Sequence, residues 1–218
     1  MKFDEIDSFS TLLFDFDGTL VDSMPSYSRV MLKILDDFGI PYGPDLISVI
    51  TPFGTVKTAE YYAEEMGVPL TVEEILEIMK KELLSAYLYD IPAKEGVLSA
   101  LKKLKEEGKS LSVLTASPHI SLDPCLKRLG LYDLFDNVWS CDDFSLSKAD
   151  PDLFEKVAES LSQKPSDILF FDDNLGALTT AKKAGFSLCG VEDDAAKAEK
   201  DEIKEISDFY LESYNNVL

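Results

Sequence analysis

Three things are scarce in this sequence: basic charge, histidine and cysteine. Lysine and arginine together number 21 against 41 acidic residues, which gives a net charge of −20 at pH 7. A field of that sign repels the phosphates of nucleic acids and of anionic lipid surfaces, so neither a nucleic-acid partner nor a membrane surface is expected. A small anionic ligand would need positive charge supplied locally. The single histidine, His119, cannot form a histidine metal cluster. Cys125, Cys141 and Cys189 lie far apart with no CxxC pair, so they suggest neither a disulfide frame nor a zinc site, and three buried reduced thiols are expected. No run approaches the ~18 apolar residues of a membrane span. The start, MKFDEIDSF, lacks the basic and apolar regions of a secretory leader, so a cytoplasmic chain is expected. There is also no Walker loop and no GxGxxG.

What is present suffices for a core: 218 residues, 45% of them hydrophobic and 11% aromatic. That length allows one large domain or one domain carrying an insertion. Apolar residues at three- and four-residue steps (Tyr27, Val30, Met31, Ile34, Leu35, Phe38) predict an amphipathic helix stopped by Gly39. A second such pattern runs from Ala59 to Met66, and a third from Ile75 to Ala86 behind the acidic Glu73 and Glu74. Residues 23–92 contain no convincing strand. From Pro92 the texture changes to strands alternating with helices. Short strands are predicted at 110–114, 138–140, 168–171 and 187–191, with helices at 97–104, 124–129, 151–161, 178–184 and 195–206. The pattern is that of an α/β fold, a Rossmann-like three-layer core with a parallel sheet. Strand 11–16 pairs most simply with the later strands, which divides the chain into a core of 1–22 and 93–218 and an inserted all-helical cap of 23–92.

The stretch TLLFDFDGTLVDS at 11–23 ends an apolar strand in two carboxylates, Asp15 and Asp17. An unpaired carboxylate withdrawn from water costs several kcal/mol or takes up a proton. In open parallel sheets ligands bind beyond the carboxyl ends of the strands, and other strands here end at Thr115 and at Asp172 and Asp173. A metal ion resolves the anomaly, since Mg²⁺ is held by a few carboxylates, a carbonyl and waters. Asp-x-Asp alone is a weak signal, and Asp150-x-Asp152 repeats it outside any strand. An EF-hand is excluded because Gly18 falls at the fourth position of such a loop and no acid at its fifth.

Taken together, DFDGTLVDS at 15–23, VLTAS at 113–117, Lys148 within SKADPDLF and FFDDNLGALTTAKKAG at 170–185 resemble the four motifs of the haloacid dehalogenase superfamily. The resemblance is to its phosphatase-like members with a helical cap after the first strand, the phosphoglycolate phosphatase and beta-phosphoglucomutase-like branch, and it covers nearly the whole chain. It implies that Asp15 is the nucleophile, forming an aspartyl-phosphate, and that Asp17 is the acid and then the base. It places Thr115 and the N–H of Ala116 on the phosphate, with Ser117 counted beside them as a substrate contact, and it makes Lys148 the cation that offsets negative charge. Asp15, the backbone carbonyl of Asp17, Asp172 and Asp173 would hold Mg²⁺. The function implied is a Mg²⁺-dependent phosphatase of small phosphate monoesters, phosphoglycolate- or sugar-phosphate-like, with a mobile cap that closes to exclude water.

An acid at Asp17 points away from the dehalogenases and the phosphonate-cleaving branch of that superfamily, because an oxygen leaving group is what needs a proton donor. The chain departs from the family pattern at Ser147-Lys148-Ala149, where Gly-Lys-Pro is frequent, and at Ala116, where many phosphatases have Asn. Alternatives are a phosphomutase, a phosphonate C–P hydrolase using Lys57 in TPFGTVK as a Schiff-base lysine, and a phosphate-binding protein without turnover. All three would keep the fold; the last should lack one of the catalytic acids, whereas Asp15 and Asp17 are both present. Lys57 is otherwise expected to contact substrate, and His119 is expected at the surface. A small phosphorylated metabolite is the expected partner and a monomer the default.

Overall fold

Thr11–Phe14, four buried residues of sequence TLLF, form strand β1. In this computed structural model, which describes residues 6–217, β1 lies inside a six-stranded sheet with β2 (Ser110–Thr115), β3 (Asn137–Ser140), β4 (Ile168–Asp172), β5 (Ser187–Val191) and β6 (Phe209–Leu211). The order is β3-β2-β1-β4-β5-β6 and every pairing is parallel. The chain therefore builds outward on one side of β1 and then restarts on the other. That reversal is where crevices form at the carboxyl edge of such sheets.

Helices α1 (Met24–Phe38), α2 (Leu46–Ile50), α3 (Gly54–Glu64) and α4 (Val72–Tyr89) fall between β1 and β2 in sequence. The rest are α5 (Val97–Glu106), α6 (His119–Arg128), α7 (Pro151–Ser160), α8 (Leu175–Lys183) and α9 (Lys200–Ile206). Two units result: one runs up to Asp22 and resumes at Pro92, and the other is Ser23–Ile91.

In the sheet unit, Leu13, Phe170 and Leu188 share a buried cluster with Phe154 of α7 and Leu178 of α8. On the alternate positions Phe14 stacks on Phe171 with ring centroids 4.4 Å apart and meets Phe135 edge-on at 6.3 Å. A sheet apolar on both faces needs helices on both, which is the three-layer architecture. Where the chain leaves this unit and returns, the two segments pair: Asp22 N–H donates to the Pro92 carbonyl and Lys94 N–H to that of Leu20, both at 3.0 Å.

The helical unit has its own core. Val30, Met31, Ile34 and Leu35 of α1 pack with Ala59 and Tyr62 of α3 and Ile75 and Met79 of α4. Tyr62, fully buried, donates its hydroxyl to the Met31 carbonyl at 3.2 Å. Gly39 ends α1 at φ 66°, and Thr71 opens α4 with a reciprocal capping box to Glu74.

Several boundaries differ from the sequence pattern. α6 begins five residues before the predicted 124, because Pro124 is accommodated inside it; a proline forfeits one bond there but packing of Leu122, Cys125 and Leu126 holds the helix. The predicted helix 195–206 is a 3₁₀ stretch, Asp194–Glu199, followed by α9. α2 and β6 went unpredicted, being five and three residues long. All three cysteines are free and buried. No described helix is long and apolar enough to cross a membrane.

Candidate active site

The strand register gathers the site. Phe14 lies opposite Phe171, and Asp15 N–H donates to the Phe171 carbonyl at 2.8 Å, so Asp15 and Asp172 leave adjacent strands side by side. Thr115 ends β2, on the other flank of β1. Gly18 then turns the chain at φ +75°, a conformation that suits a residue without Cβ. It also makes room: a Cβ on Gly18 would stand 2.5 Å from Asp173 Oδ2. Thr19, next in line, donates its hydroxyl to Asp173 Oδ1 at 3.0 Å.

Carboxylate oxygens of Asp15, Asp172 and Asp173 lie within 4.8 Å of one another. Lys148 reaches into this group, bonding Asp15 and donating to Asp172 Oδ2 at 2.7 Å. Its side chain is 14% exposed, and that of Asp172 is 1% exposed. Burial pushes the Asp15 carboxyl up to about 7; Lys148 pulls against that shift, while Asp172 and Asp17 add to it. Asp173 is pushed well above the carboxylate range by burial and by Asp172 and Asp15. Lys148 is held protonated: burial works against its charge, but Asp15 and Asp172 outweigh it. One ammonium among three carboxylates leaves an excess of negative charge in a place of low polarity, which is the donor set and the charge deficit that suit a hard divalent cation.

Asp15, Asp17, Thr115, Ala116, Lys148, Asp172 and Asp173 all line one cleft of about 520 Å³ in the sheet unit. Ser117 is not among the lining residues; it donates its hydroxyl to Asp17 Oδ2 at 2.5 Å and its N–H to Thr115 Oγ1 at 3.0 Å. Lys57 is not in this group: it belongs to the helical unit, is exposed, and holds its ammonium 4.6 Å from the Phe53 ring centroid. His119 is part-exposed and bridges Asp123 at 2.7 Å and Asp143 at 2.9 Å, which raises its pKa.

Ala149, Asn174, Gly176, Ala177 and Thr180 complete the cleft wall, and the last four are not singled out by the sequence pattern. Asn174 donates its N–H to Asp172 Oδ1 at 2.8 Å and accepts from Ala177 N–H at 3.0 Å, capping α8. The signal was available, since an Asn ahead of an apolar helical run is an N-cap. Asp193 was also passed over; it pairs with Lys94 at 2.9 Å and adds to the upward push on Asp173.

Residues 12–191 match the model of the haloacid dehalogenase-like hydrolase family. The chain belongs to that family. It is 28% identical to the validoxylamine A 7'-phosphate phosphatase of Streptomyces hygroscopicus subsp. limoneus, over 88% of this chain and 92% of that one. It is also 28% identical to a phosphorylated carbohydrates phosphatase of Thermotoga maritima, over 80% of this chain and 81% of the other. In fold it is similar to CbbY from Rhodobacter sphaeroides solved in complex with phosphate, with a TM-score of 0.75 and 20% identity, covering 94% of this chain and 95% of that one. As a member of this hydrolase family the chain is an enzyme, and its parallel sheet is the family's Rossmann-like core.

Proposed function

We propose that this enzyme is a Mg²⁺-dependent phosphatase that hydrolyses a small phosphate monoester through an aspartyl-phosphate on Asp15. The observation that carries the reading is the Lys148 ammonium bonded to both Asp15 and Asp172, with Asp173 completing an acidic cluster beside Thr115 and Asp17. Relatives named for validoxylamine A 7'-phosphate, phosphorylated carbohydrates, phosphoglycolate and hexitol support a phosphorylated carbohydrate or short hydroxy acid as the substrate class.

In the first half of the reaction an Asp15 carboxylate oxygen attacks phosphorus as the ester P–O bond breaks, and Asp17 gives its proton to the departing oxygen. The Thr115 hydroxyl and the Ala116 N–H hold the non-bridging oxygens, and Lys148 offsets charge on Asp15 and on the phosphoryl group. In the second half Asp17, now ionised, takes a proton from water as that water attacks the acyl phosphate. Inorganic phosphate leaves, and both aspartates return to their starting forms. Asp15, Asp172 and Asp173, with the Asp17 carbonyl, are the residues that would hold Mg²⁺. Bound there, the ion would neutralise phosphate charge and keep these carboxylates ionised.

Hydrolysis of p-nitrophenyl phosphate with Mg²⁺, with EDTA in place of Mg²⁺, and by an Asp15→Asn variant tests this reading. Turnover is expected only for the parent enzyme with Mg²⁺. Turnover indifferent to EDTA, or undiminished in the variant, would overturn it.

A further inference from the structure

We propose that Ser117 is a positioning residue for Asp17, holding the carboxyl that moves the proton, and that it does not grip the phosphate. The inference rests on the phosphatase reading above and replaces the substrate contact that the sequence implied for Ser117.

The bond from Ser117 Oγ to Asp17 Oδ2 is 2.5 Å long and joins residues a hundred positions apart. It arises because β2 and β1 are neighbours whose carboxyl ends deliver the two loops to the same edge. A hydroxyl carries one hydrogen. Ser117 spends it on Asp17, and an ionised phosphate offers only acceptors at its non-bridging oxygens. In this arrangement Ser117 has no proton to give a phosphate.

Thr115 is arranged the other way. Its hydroxyl oxygen accepts from Ser117 N–H at 3.0 Å, a local side-chain-to-backbone turn that occupies a lone pair and leaves the hydrogen to be donated. The cleft lining agrees with this division: Thr115, Ala116 and Asp17 line it, whereas Ser117 does not. The turn is also tied down beyond Ser117, where the Ser121 hydroxyl donates to the Pro118 carbonyl at 2.9 Å and His119 spans Asp123 and Asp143. A donor fixed at Oδ2 restrains rotation of the Asp17 carboxyl and makes Oδ2 an acceptor.

Positioning a proton donor and holding phosphate have different kinetic signatures. A poor leaving group needs the proton, and a nitrophenolate does not. The experiment compares the parent, Ser117→Ala, Ser117→Thr and Asp17→Asn on β-glycerol phosphate and on p-nitrophenyl phosphate with Mg²⁺, reading kcat/KM, which reports transfer to Asp15. For Ser117→Ala the ratio of kcat/KM on glycerol phosphate to that on nitrophenyl phosphate is expected to fall by about tenfold or more, a part of the 10²–10⁴ that general acid catalysis supplies. Ser117→Thr, which keeps the hydroxyl, should recover most of the ratio, and Asp17→Asn should depress it further. Equal losses on the two esters, or a loss confined to KM, would mean a phosphate contact and overturn the inference. So would an unchanged ratio with an active parent. A parent that hydrolyses neither ester overturns the phosphatase reading instead, and the inference with it.

Discussion

Lys148 ties Asp15 to Asp172, two carboxylates that leave adjacent strands, and its ammonium is the one positive charge among the described residues lining the cleft. Removing one partner of a buried charge pair leaves the others uncompensated, at roughly 3–5 kcal/mol. Lys148→Met is therefore expected to lower the urea midpoint of the metal-free protein and to cut phosphatase kcat by about a hundredfold or more. Mg²⁺ should restore part of the stability without restoring the rate, because it supplies charge but not the ammonium's contact with Asp15. Urea titrations with and without Mg²⁺, alongside kcat, check this. A variant as stable and as active as the parent would refute it.

Gly18 and Gly39 share a positive φ, +75° and +66°, but differ in surroundings: a Cβ on Gly18 meets Asp173 Oδ2 at 2.5 Å, and one on Gly39 meets nothing within 4 Å. Alanine at either should cost about 1 kcal/mol of backbone strain. Only Gly18→Ala should displace Asp173, so the rise in melting temperature on adding Mg²⁺ should shrink for Gly18→Ala and persist for Gly39→Ala. Equal Mg²⁺ protection in the two variants would show that Asp173 tolerates the shift or takes no part in binding.

The strand-end acids were readable from sequence because a buried parallel strand is apolar throughout, and a carboxylate closing it stands out. TLLF before Asp15 and ILFF before Asp172 are such cases. The long amphipathic helices were readable for the same reason of contrast. What could not be read was pairing across the fold. Ser117 meets Asp17, and Lys94 meets Asp193, only because strand order brings distant loops to one edge. β6, three residues of FYL on the sheet's rim, carries too little pattern to separate from a loop. Asp150-x-Asp152, which mimics Asp15-x-Asp17, proves to be local: Asp150 caps α7 by accepting from Asp152 N–H at 3.1 Å.

His119 is the chain's only histidine, so its ring can be followed without assignment. Hydrogen bonds to Asp123 and then Asp143 raise its pKa above the ordinary 6.5, against a smaller opposing effect of burial. A raised folded-state pKa means the protonated clamp stabilises the protein fully below the unfolded value, and that contribution is lost as pH rises through the folded one. The Hε1 shift should titrate above pH 6.5 in the parent and move back toward it in Asp123→Asn/Asp143→Asn. A parent midpoint at or below the ordinary value would exclude the clamp.

Lys94 stands where the chain re-enters the sheet unit, donating to the Glu192 carbonyl at 2.6 Å and pairing with Asp193 at 2.9 Å. The side chains are 16% and 4% exposed, so water does little to screen either charge. Lys94→Met should leave Asp193 buried and unpaired and cost about 3 kcal/mol. Asp193 also accepts from Ala195 N–H at 2.9 Å, a bond that an asparagine keeps without the charge. Lys94→Met/Asp193→Asn should therefore be more stable than Lys94→Met alone, although it carries one more substitution. Urea midpoints of the parent, single and double variants decide it. If the double variant is the least stable of the three, the loss lies in packing of the lysine stem and not in the stranded carboxylate.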